Sequence, residues 1–479
     1  MKLGTKGKKV IAKLGLELMK INFVMDYFLK WGENQILKNL VVKNERNRPI
    51  GAQEEKYYIV RNLMKSFEKK LKTNALAPGV KNFVFNKLIG DVIINWRDRH
   101  PDAAERRKRE DPLPLYVVIS PTQKCNLACI GCYAASSNKT FETLEWDIVD
   151  KLMQQKRELW GSYFTVISGG EPLMYESNGK TILDLYEKYN DTFFLMYTNG
   201  TLIDRAMARR FAELGNVAPA ISVEGFEEDT DHRRGKGVFK QILSAIDNLR
   251  EEGVLWGISF TATRQNADRI LHDDFIEEFF DEKGAAFAWM FQYMPIGRKP
   301  DFELMITPEQ RRNLWFKERH LIKDKGIFFV DFWNGGPISD GCICAGRKGG
   351  YLYIDWSGNV MPCVFVPYTV GHIQRDFFDK GKNLNDILQT PFFTKLRHWQ
   401  AGYSYKKQAT EVGNEIVPCP IRDHHDEFHK IAEEAHAIPV GKSTERVFKD
   451  EKYIKELTKI GVKAMKATED IWQHEYQKI

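Results

Sequence analysis

Between residues 113 and 300, short apolar runs alternate with longer stretches in which apolar residues recur every three or four positions. The runs cover 115–119, 163–168, 193–197, 218–223, 257–262 and 287–293. Each is short and mainly apolar, the pattern of a buried strand. Helical stretches between successive strands predict parallel pairing through crossover helices. Six such units predict an α/β fold, a partial (β/α)6 TIM-like barrel over residues 113–300, with its chemistry at the C-terminal strand ends.

Outside that span the pattern is helical. Val10, Ile11, Leu14, Leu18, Ile21, Met25, Phe28 and Leu29 recur at three and four, with Lys9, Lys13, Lys20 and Lys30 around them and Trp31 after. Residues 1–112 therefore read as a helical, basic amphipathic N-terminal extension. Its aromatic residues Phe23, Tyr27, Phe28 and Trp31 suit an anionic membrane surface. The same pattern suits a cap packed on the rest of the chain with its lysines solvated. Residues 301–340 read as a helical linker, 341–430 as a small cysteine-bearing domain, and 431–479 as a charged helical cap ending near Trp472 and Tyr476.

Composition changes this picture little. The chain has 479 residues, 43% hydrophobic and 28% charged, as ordinary globular proteins do. Residues 1–50 carry eleven Lys/Arg against four Asp/Glu, a net +7, where the whole chain carries +6. The remainder is thus near neutral, and no basic stripe with interleaved aromatics points to nucleic acid. No signal peptide and no apolar run of membrane-spanning length is evident. A cytoplasmic protein is expected, with peripheral membrane attachment through the N-terminal helix as its variant. Seven cysteines, an odd number in a long chain, argue for metal in a reducing compartment rather than a disulfide framework.

Three of them follow the first strand as Cys125-x3-Cys129-x2-Cys132. Three thiolates on one loop hold three corners of a four-iron four-sulfur cluster and leave one iron open. A structural zinc loop is the alternative, though such loops usually pair two-residue knuckles from separate segments. After the second strand comes Ser168-Gly169-Gly170-Glu171-Pro172, where glycines permit close backbone approach. The third strand ends in Thr198-Asn199-Gly200, and the fourth in Ser222-Val223-Glu224-Gly225, with Asp231-His232-Arg233-Arg234-Gly235 beyond.

This set resembles the radical S-adenosylmethionine superfamily. The resemblance implies a cluster whose open iron binds S-adenosylmethionine, and reductive cleavage of that cofactor to a 5′-deoxyadenosyl radical that abstracts hydrogen from a substrate. It also implies that Gly169, Gly170 and Glu171 meet the methionine amino group, that Ser222 and Glu224 meet the ribose or methionine portion, and that Arg233 or Arg234 meets the carboxylate. Thr198 and Asn199 fall at the corresponding end of the third strand. One position departs from the family. The residue before the third cysteine is commonly aromatic and here is Gly131, which leaves Tyr133 as the candidate ring near adenine. No general base stands out among Glu224, Asp231, His232 and Tyr293.

A second cysteine group follows the barrel: Cys342-Ile-Cys344, then Cys344-x13-Gly358-x4-Cys363, then Cys419 with Asp423 and His424 after it. Trp356-Ser-Gly358-Asn suits a hairpin turn. This region resembles the SPASM or twitch auxiliary-cluster domain of the same superfamily. Its cysteines suffice for one auxiliary four-iron four-sulfur cluster. Cys344, Cys363 and Cys419 are candidate ligands, with Cys342, Asp423, His424 or an open iron at the fourth corner. Structural zinc is the alternative.

The expected protein is a radical enzyme acting on an unactivated carbon–hydrogen bond, supplied with electrons by a flavodoxin- or ferredoxin-like donor. The basic N-terminus favours a hydrophobic or membrane-associated lipid as substrate. The alternatives are a maturase that modifies a ribosomal peptide and, in another class, an iron–sulfur electron carrier without turnover. Maturases often carry a small winged-helix module with a β-ribbon, and residues 1–100 show no such strand pattern.

Overall fold

A computed structural model of the chain describes residues 22–109 and 111–478. At its centre is one curled, nine-stranded, mostly parallel sheet. Its first six strands are β1 (Tyr116–Ile119), β2 (Phe164–Ile167), β3 (Phe193–Thr198), β4 (Val217–Ser222), β5 (Gly257–Ala262) and β6 (Ala288–Gln292). They pair in parallel in chain order. These strands match the six expected apolar runs to within one or two residues at most ends.

The sheet then grows at both edges with strands from beyond residue 300. β7 (Phe329–Asp331) pairs in parallel with β6. β8 (Tyr351–Ile354) pairs in parallel with β1, in register Tyr116↔Tyr351 through Ile119↔Ile354, and turns back into β9 (Val360–Met361). Residues 301–340 are therefore not wholly helical, and the cysteine-bearing region shares its first strand with the barrel sheet. The reason is burial: all four residues of β8 are buried, as a strand covered on both faces requires.

Helices cover the outer face. α1 (Asn22–Leu37) and α2 (Ile50–Lys72) precede the barrel; α3 (Trp146–Trp160), α4 (Arg205–Leu214) and α5 (Val238–Glu251) are crossovers; α6 (Pro308–Lys323) and α7 (Glu451–Ile471) follow it. α6 begins with a capping box between Thr307 and Gln310, which satisfies its first free N–H groups.

α2 and the C-terminal segment meet on α6. Glu55 of α2 pairs with Arg319 of α6 and accepts a hydrogen bond from the Tyr476 hydroxyl at 2.8 Å. Trp315 Nε1 donates to the same hydroxyl at 2.9 Å. A side chain at Gly51 would meet the backbone of Glu475 and Tyr476, so glycine lets α2 close on the C-terminal segment. α2 is thus packed against the rest of the chain over its length. The earlier part of the expected amphipathic helix, residues 1–21, lies outside the described residues. Of its aromatics, Tyr27 and Trp31 are exposed. Among the described residues, no helix is long and apolar enough to cross a membrane.

Candidate active site in the barrel lumen

Strand alternation decides what faces the inside of the curl. Tyr116 and Val118 on β1, Phe164 and Val166 on β2, Leu195 and Tyr197 on β3, and Trp289 and Phe291 on β6 take alternate positions and wall a cavity of about 410 Å³. Small residues, Ser222 on β4 and Ser259 and Thr261 on β5, line the same space and leave it open. The lining is mainly aromatic and aliphatic, as in most small-molecule sites.

The loop after β1 places Cys125, Cys129 and Cys132 on this cavity. Cys125 is buried, and the other two are half-buried. Burial pushes the Cys125 thiol up to about 12, against a hydrogen bond from the Leu127 N–H at 3.4 Å. That thiol keeps its proton at neutral pH unless a metal cation displaces it. Three cysteines open to one cavity at the C-terminal end of a barrel strand fit a cluster with a free iron. Among the described residues, no three His, Cys, Asp or Glu side chains converge on the space of one metal ion. Cluster ligands bind separate irons and need no such convergence.

The segments that follow β4 and β6 hold the loop. Ile130 N–H donates to the Arg233 carbonyl at 2.9 Å, and Arg298 N–H to the Cys132 carbonyl at 2.9 Å. Gly131 has φ +64, and a Cβ there would lie 2.6 Å from Tyr293 Cε2. This accounts for the departure at 131: the ring of Tyr293, which also lines the cavity, occupies the space that an aromatic at 131 would need. Tyr133 lies on the cavity as expected, with its hydroxyl 2.8 Å from Ser168 Oγ.

Gly169 and Gly170 line the cavity, but their closest neighbours are cluster-loop backbone. A Cβ at Gly169 would lie 2.7 Å from the Thr122 carbonyl oxygen, and one at Gly170 would strike the Gln123 and Lys124 carbonyls. The glycines let the second strand end press against the cysteine loop. Glu171 is fully buried, and its carboxylate accepts from Thr198 Oγ1 at 2.8 Å, Asn199 N–H at 2.8 Å and Leu173 N–H at 3.2 Å. Burial raises its pKa, and these donors oppose the rise. Its visible work is to hold the Thr198–Asn199 turn. Thr198 and Asn199 line the cavity, and Asn199 Nδ2 donates to Asn126 Oδ1 on the cysteine loop at 2.8 Å.

Ser222 lines the cavity, 3.3 Å from Ser259 Oγ. Glu224 is buried behind it, ion-paired with both Arg233 and Arg234, and accepts from Thr261 N–H at 2.9 Å. It therefore aims the two guanidinium groups, both of which reach the cavity wall. Burial disfavours the Arg234 charge, but Glu224 and the nearby Cys129 and Cys132 outweigh this and raise its pKa. Asp231 accepts from the N–H groups of Gly237 and Phe239, the latter at 2.8 Å, and so caps the next helix.

Cys342, Cys344, Cys363 and Cys419 come together in a second group. Burial raises Cys419, and the neighbouring Cys342 and Cys363 charges raise it further. Cys344 is raised by a hydrogen bond from its sulfur to Cys342, by burial and by the other three cysteines. Cys342 is brought down to about 7 by that contact, against burial. Asp423 is taken up by Arg311 at 2.5 Å and by the Cys419 N–H at 3.2 Å. His424 Nε2 lies 2.9 Å from the Val417 carbonyl, with Trp399 and Tyr403 rings beside it. Both alternatives to a fourth thiolate are thus occupied elsewhere. Ile343, Tyr351, Val364 and Phe365 from this region line the far side of the same cavity.

Tyr116, Phe164 and Trp289 of the aromatic wall belong to no motif. Its signal was present in the alternation within the strands: Trp289, Phe291 and Tyr293 stand two apart on one run, as do Tyr116 and Val118 on another.

Comparison with known proteins agrees with this geometry. The Radical SAM superfamily model matches residues 119–272, and the model of SPASM, an iron-sulfur cluster-binding domain, matches residues 342–411. The chain is 36% identical over 158 residues to the Fe-coproporphyrin III synthase of Methanosarcina barkeri, covering 33% of this chain and 39% of that protein. It is 26% identical to the sporulation killing factor maturation protein SkfB of Bacillus subtilis, covering 55% of this chain and 63% of SkfB. It is 29% identical to the mycofactocin maturase MftC of Mycolicibacterium smegmatis, covering 63% and 77%. The match thus spans less than two thirds of the first two relatives. Streptococcus suis SuiB, solved bound to the precursor peptide SuiA, shares the fold with a TM-score of 0.51 at 16% identity, covering 77% of this chain and 93% of SuiB. The Radical SAM domain implies a four-iron four-sulfur cluster and S-adenosylmethionine, and the SPASM domain implies auxiliary iron–sulfur binding. The chain thus carries a Radical SAM domain over residues 119–272 followed by a SPASM domain over residues 342–411.

Proposed function

We propose that this enzyme is a maturase that modifies a side chain of a peptide. The observation that carries the reading is the shared cavity, walled on one side by Cys125, Cys129 and Cys132 and on the other by Tyr351, Val364 and Phe365 of the auxiliary region. One apolar space bounded by the first cysteine group and by residues next to the second suits an apolar side chain presented between them. Two relatives are named as maturation proteins, and SuiB holds a precursor peptide on the same fold. These support a peptide rather than the lipid suggested by the basic N-terminus.

In this reading Cys125, Cys129 and Cys132 hold the catalytic cluster, and Cys342, Cys344, Cys363 and Cys419 hold an auxiliary one. The bound cluster and S-adenosylmethionine supply one-electron chemistry able to activate an unactivated carbon–hydrogen bond, with electrons from a flavodoxin- or ferredoxin-like donor. Arg233 and Arg234, oriented by Glu224, bind the cofactor carboxylate as a guanidinium fork does. Gly169, Gly170, Thr198, Asn199 and Ser222 shape the pocket around it, and Tyr133 and Tyr293 bring rings to the adenine side. The apolar wall excludes water and orients the substrate side chain. The described residues 22–109 form helices and no strand, so the rest of the peptide is held elsewhere than on a β-ribbon there.

The test is anaerobic incubation of the reconstituted enzyme with S-adenosylmethionine, dithionite and the short peptides encoded beside its gene, followed by peptide mass analysis. Loss of hydrogen mass from a peptide supports the reading. Turnover of Fe-coproporphyrin III or of a lipid vesicle component, with every peptide unchanged, defeats it.

A further inference from the structure

The two cysteine groups differ in what donates hydrogen bonds to their sulfur atoms. In the auxiliary region the Tyr351 hydroxyl donates to Cys363 Sγ at 2.9 Å, and Gln400 Nε2 donates to Cys344 Sγ at 3.1 Å. The Phe365 N–H adds a third bond, to Cys363 Sγ at 3.4 Å. Tyr351, Gln400, Cys344 and Cys363 are all buried, so water does not compete. After β1 the pattern is sparse. Cys125 Sγ receives the Leu127 N–H at 3.4 Å and a long contact from Asn199 Nδ2 at 3.8 Å. Cys129 and Cys132 are half-buried, and no hydrogen bond to their sulfur is seen among the described residues.

The donors in the auxiliary region are also held in place. Tyr351 pairs with Tyr116 across β8 and β1, and the two rings stack 5.2 Å apart at 6°. Its hydroxyl is thereby fixed by the sheet on the side towards Cys363. Gln400 donates as well to the Cys344 carbonyl at 3.2 Å, which turns its amide nitrogen towards that residue. Hydrogen bonds to ligand sulfur stabilise the more negative, reduced state of a cluster and raise its potential, and outer-shell partners of this kind tune a metal site.

We propose that Tyr351, seconded by Gln400, is a positioning residue that sets the potential of the auxiliary cluster above that of the catalytic cluster. The ranking makes transfer of an electron from the auxiliary to the catalytic site uphill. Tyr351 also belongs to the cavity wall, so the residue that tunes the second cluster is part of the surface facing the substrate. The proposal rests on the reading of Cys342, Cys344, Cys363 and Cys419 as cluster ligands.

The experiment uses the full-length chain with Cys125, Cys129 and Cys132 replaced by alanine, reconstituted so that only the auxiliary cluster forms. Its midpoint is read by a redox titration followed by electron paramagnetic resonance. Tyr351→Phe and Gln400→Leu are each expected to move it to lower potential, and the pair further. The same titration of the unmutated chain should show the auxiliary cluster reduced first. In deuterated water, electron–nuclear double resonance of the reduced cluster should show an exchangeable deuteron that Tyr351→Phe removes. This readout needs no shift in potential and serves if a variant binds iron poorly. Unmoved midpoints in both variants, a catalytic cluster reduced first, or an unchanged deuteron signal would overturn the proposal. Zinc without sulfide at the four cysteines would instead overturn the ligand reading on which it stands.

Discussion

Replacing Gly131 by alanine tests how the cysteine loop is fitted under Tyr293. The added Cβ would lie 2.6 Å from Tyr293 Cε2, where carbon atoms settle about 3.5–4.0 Å apart. The ring must therefore move by about 1 Å, an overpacking cost of about 1–3 kcal/mol. The backbone at φ +64 adds about 1–2 kcal/mol for any residue with a Cβ. Together they amount to about 2–5 kcal/mol. Hydrogen exchange of the amides around Cys129 and Cys132 is the assay, because it reports local opening without requiring the whole chain to unfold in two states. At about 1.4 kcal/mol per tenfold, Gly131→Ala should speed exchange there by about 30-fold to several thousand-fold. Tyr293→Leu removes the obstructing ring edge but leaves the backbone term. In the double variant the steric part is recovered, a coupling of about 1–3 kcal/mol in a mutant cycle. Strict additivity would refute the claim that Tyr293 fills the place an aromatic at 131 would need.

Other changes have equally definite outcomes. Arg311 and Asp423 pair at 2.5 Å with side chains 2% and 1% exposed, so Asp423→Asn strands a buried guanidinium at about 3–5 kcal/mol. A lower urea midpoint together with loss of metal bound by the Cys419 region is expected, and an unchanged midpoint would contradict it. Burial lowers the His425 pKa from 6.5 to about 4, so the folded chain keeps this imidazole neutral while the unfolded chain protonates it below pH 6.5. Its contribution is full above that pH and is lost as pH falls towards 4, about 3 kcal/mol in all at about 1.36 kcal/mol per pH unit. His425→Phe should flatten stability over that window, and an unaltered slope between wild type and variant would contradict the assignment.

The barrel strands were legible because each is a short, mainly apolar run between helical periods, and local pattern is what such runs express. Two sheet edges were not. Phe329–Asp331 is three residues long, too short to show alternation. Nor does any local pattern announce that Tyr351 will pair with Tyr116, more than two hundred residues earlier. The role of the N-terminal extension was hidden by its polarity. Gln53, Glu55 and Asn62 look like a solvated face, yet all three are buried. Glu55 meets Arg319, and Asn62 Nδ2 donates to the Ile322 carbonyl at 2.7 Å. Buried polar groups with fixed partners are invisible to a hydrophobic pattern. At the site, cysteine spacing and the Gly-Gly-Glu segment pointed to the right strand ends. The pairing of Glu224 with two arginines and the placement of Tyr293 over Gly131 depend on contacts between distant strands.

The central claim is that Cys125, Cys129 and Cys132 hold a cluster that works on S-adenosylmethionine within the lumen. The most direct measurement is 5′-deoxyadenosine formed by the anaerobically reconstituted, dithionite-reduced chain, beside iron and sulfide content, for wild type and for the triple alanine variant. The wild type should form 5′-deoxyadenosine and the variant none, while the variant retains iron at its C-terminal cysteines. Product formation surviving the loss of all three cysteines, or its absence from a fully loaded wild type given peptide substrate, would contradict it.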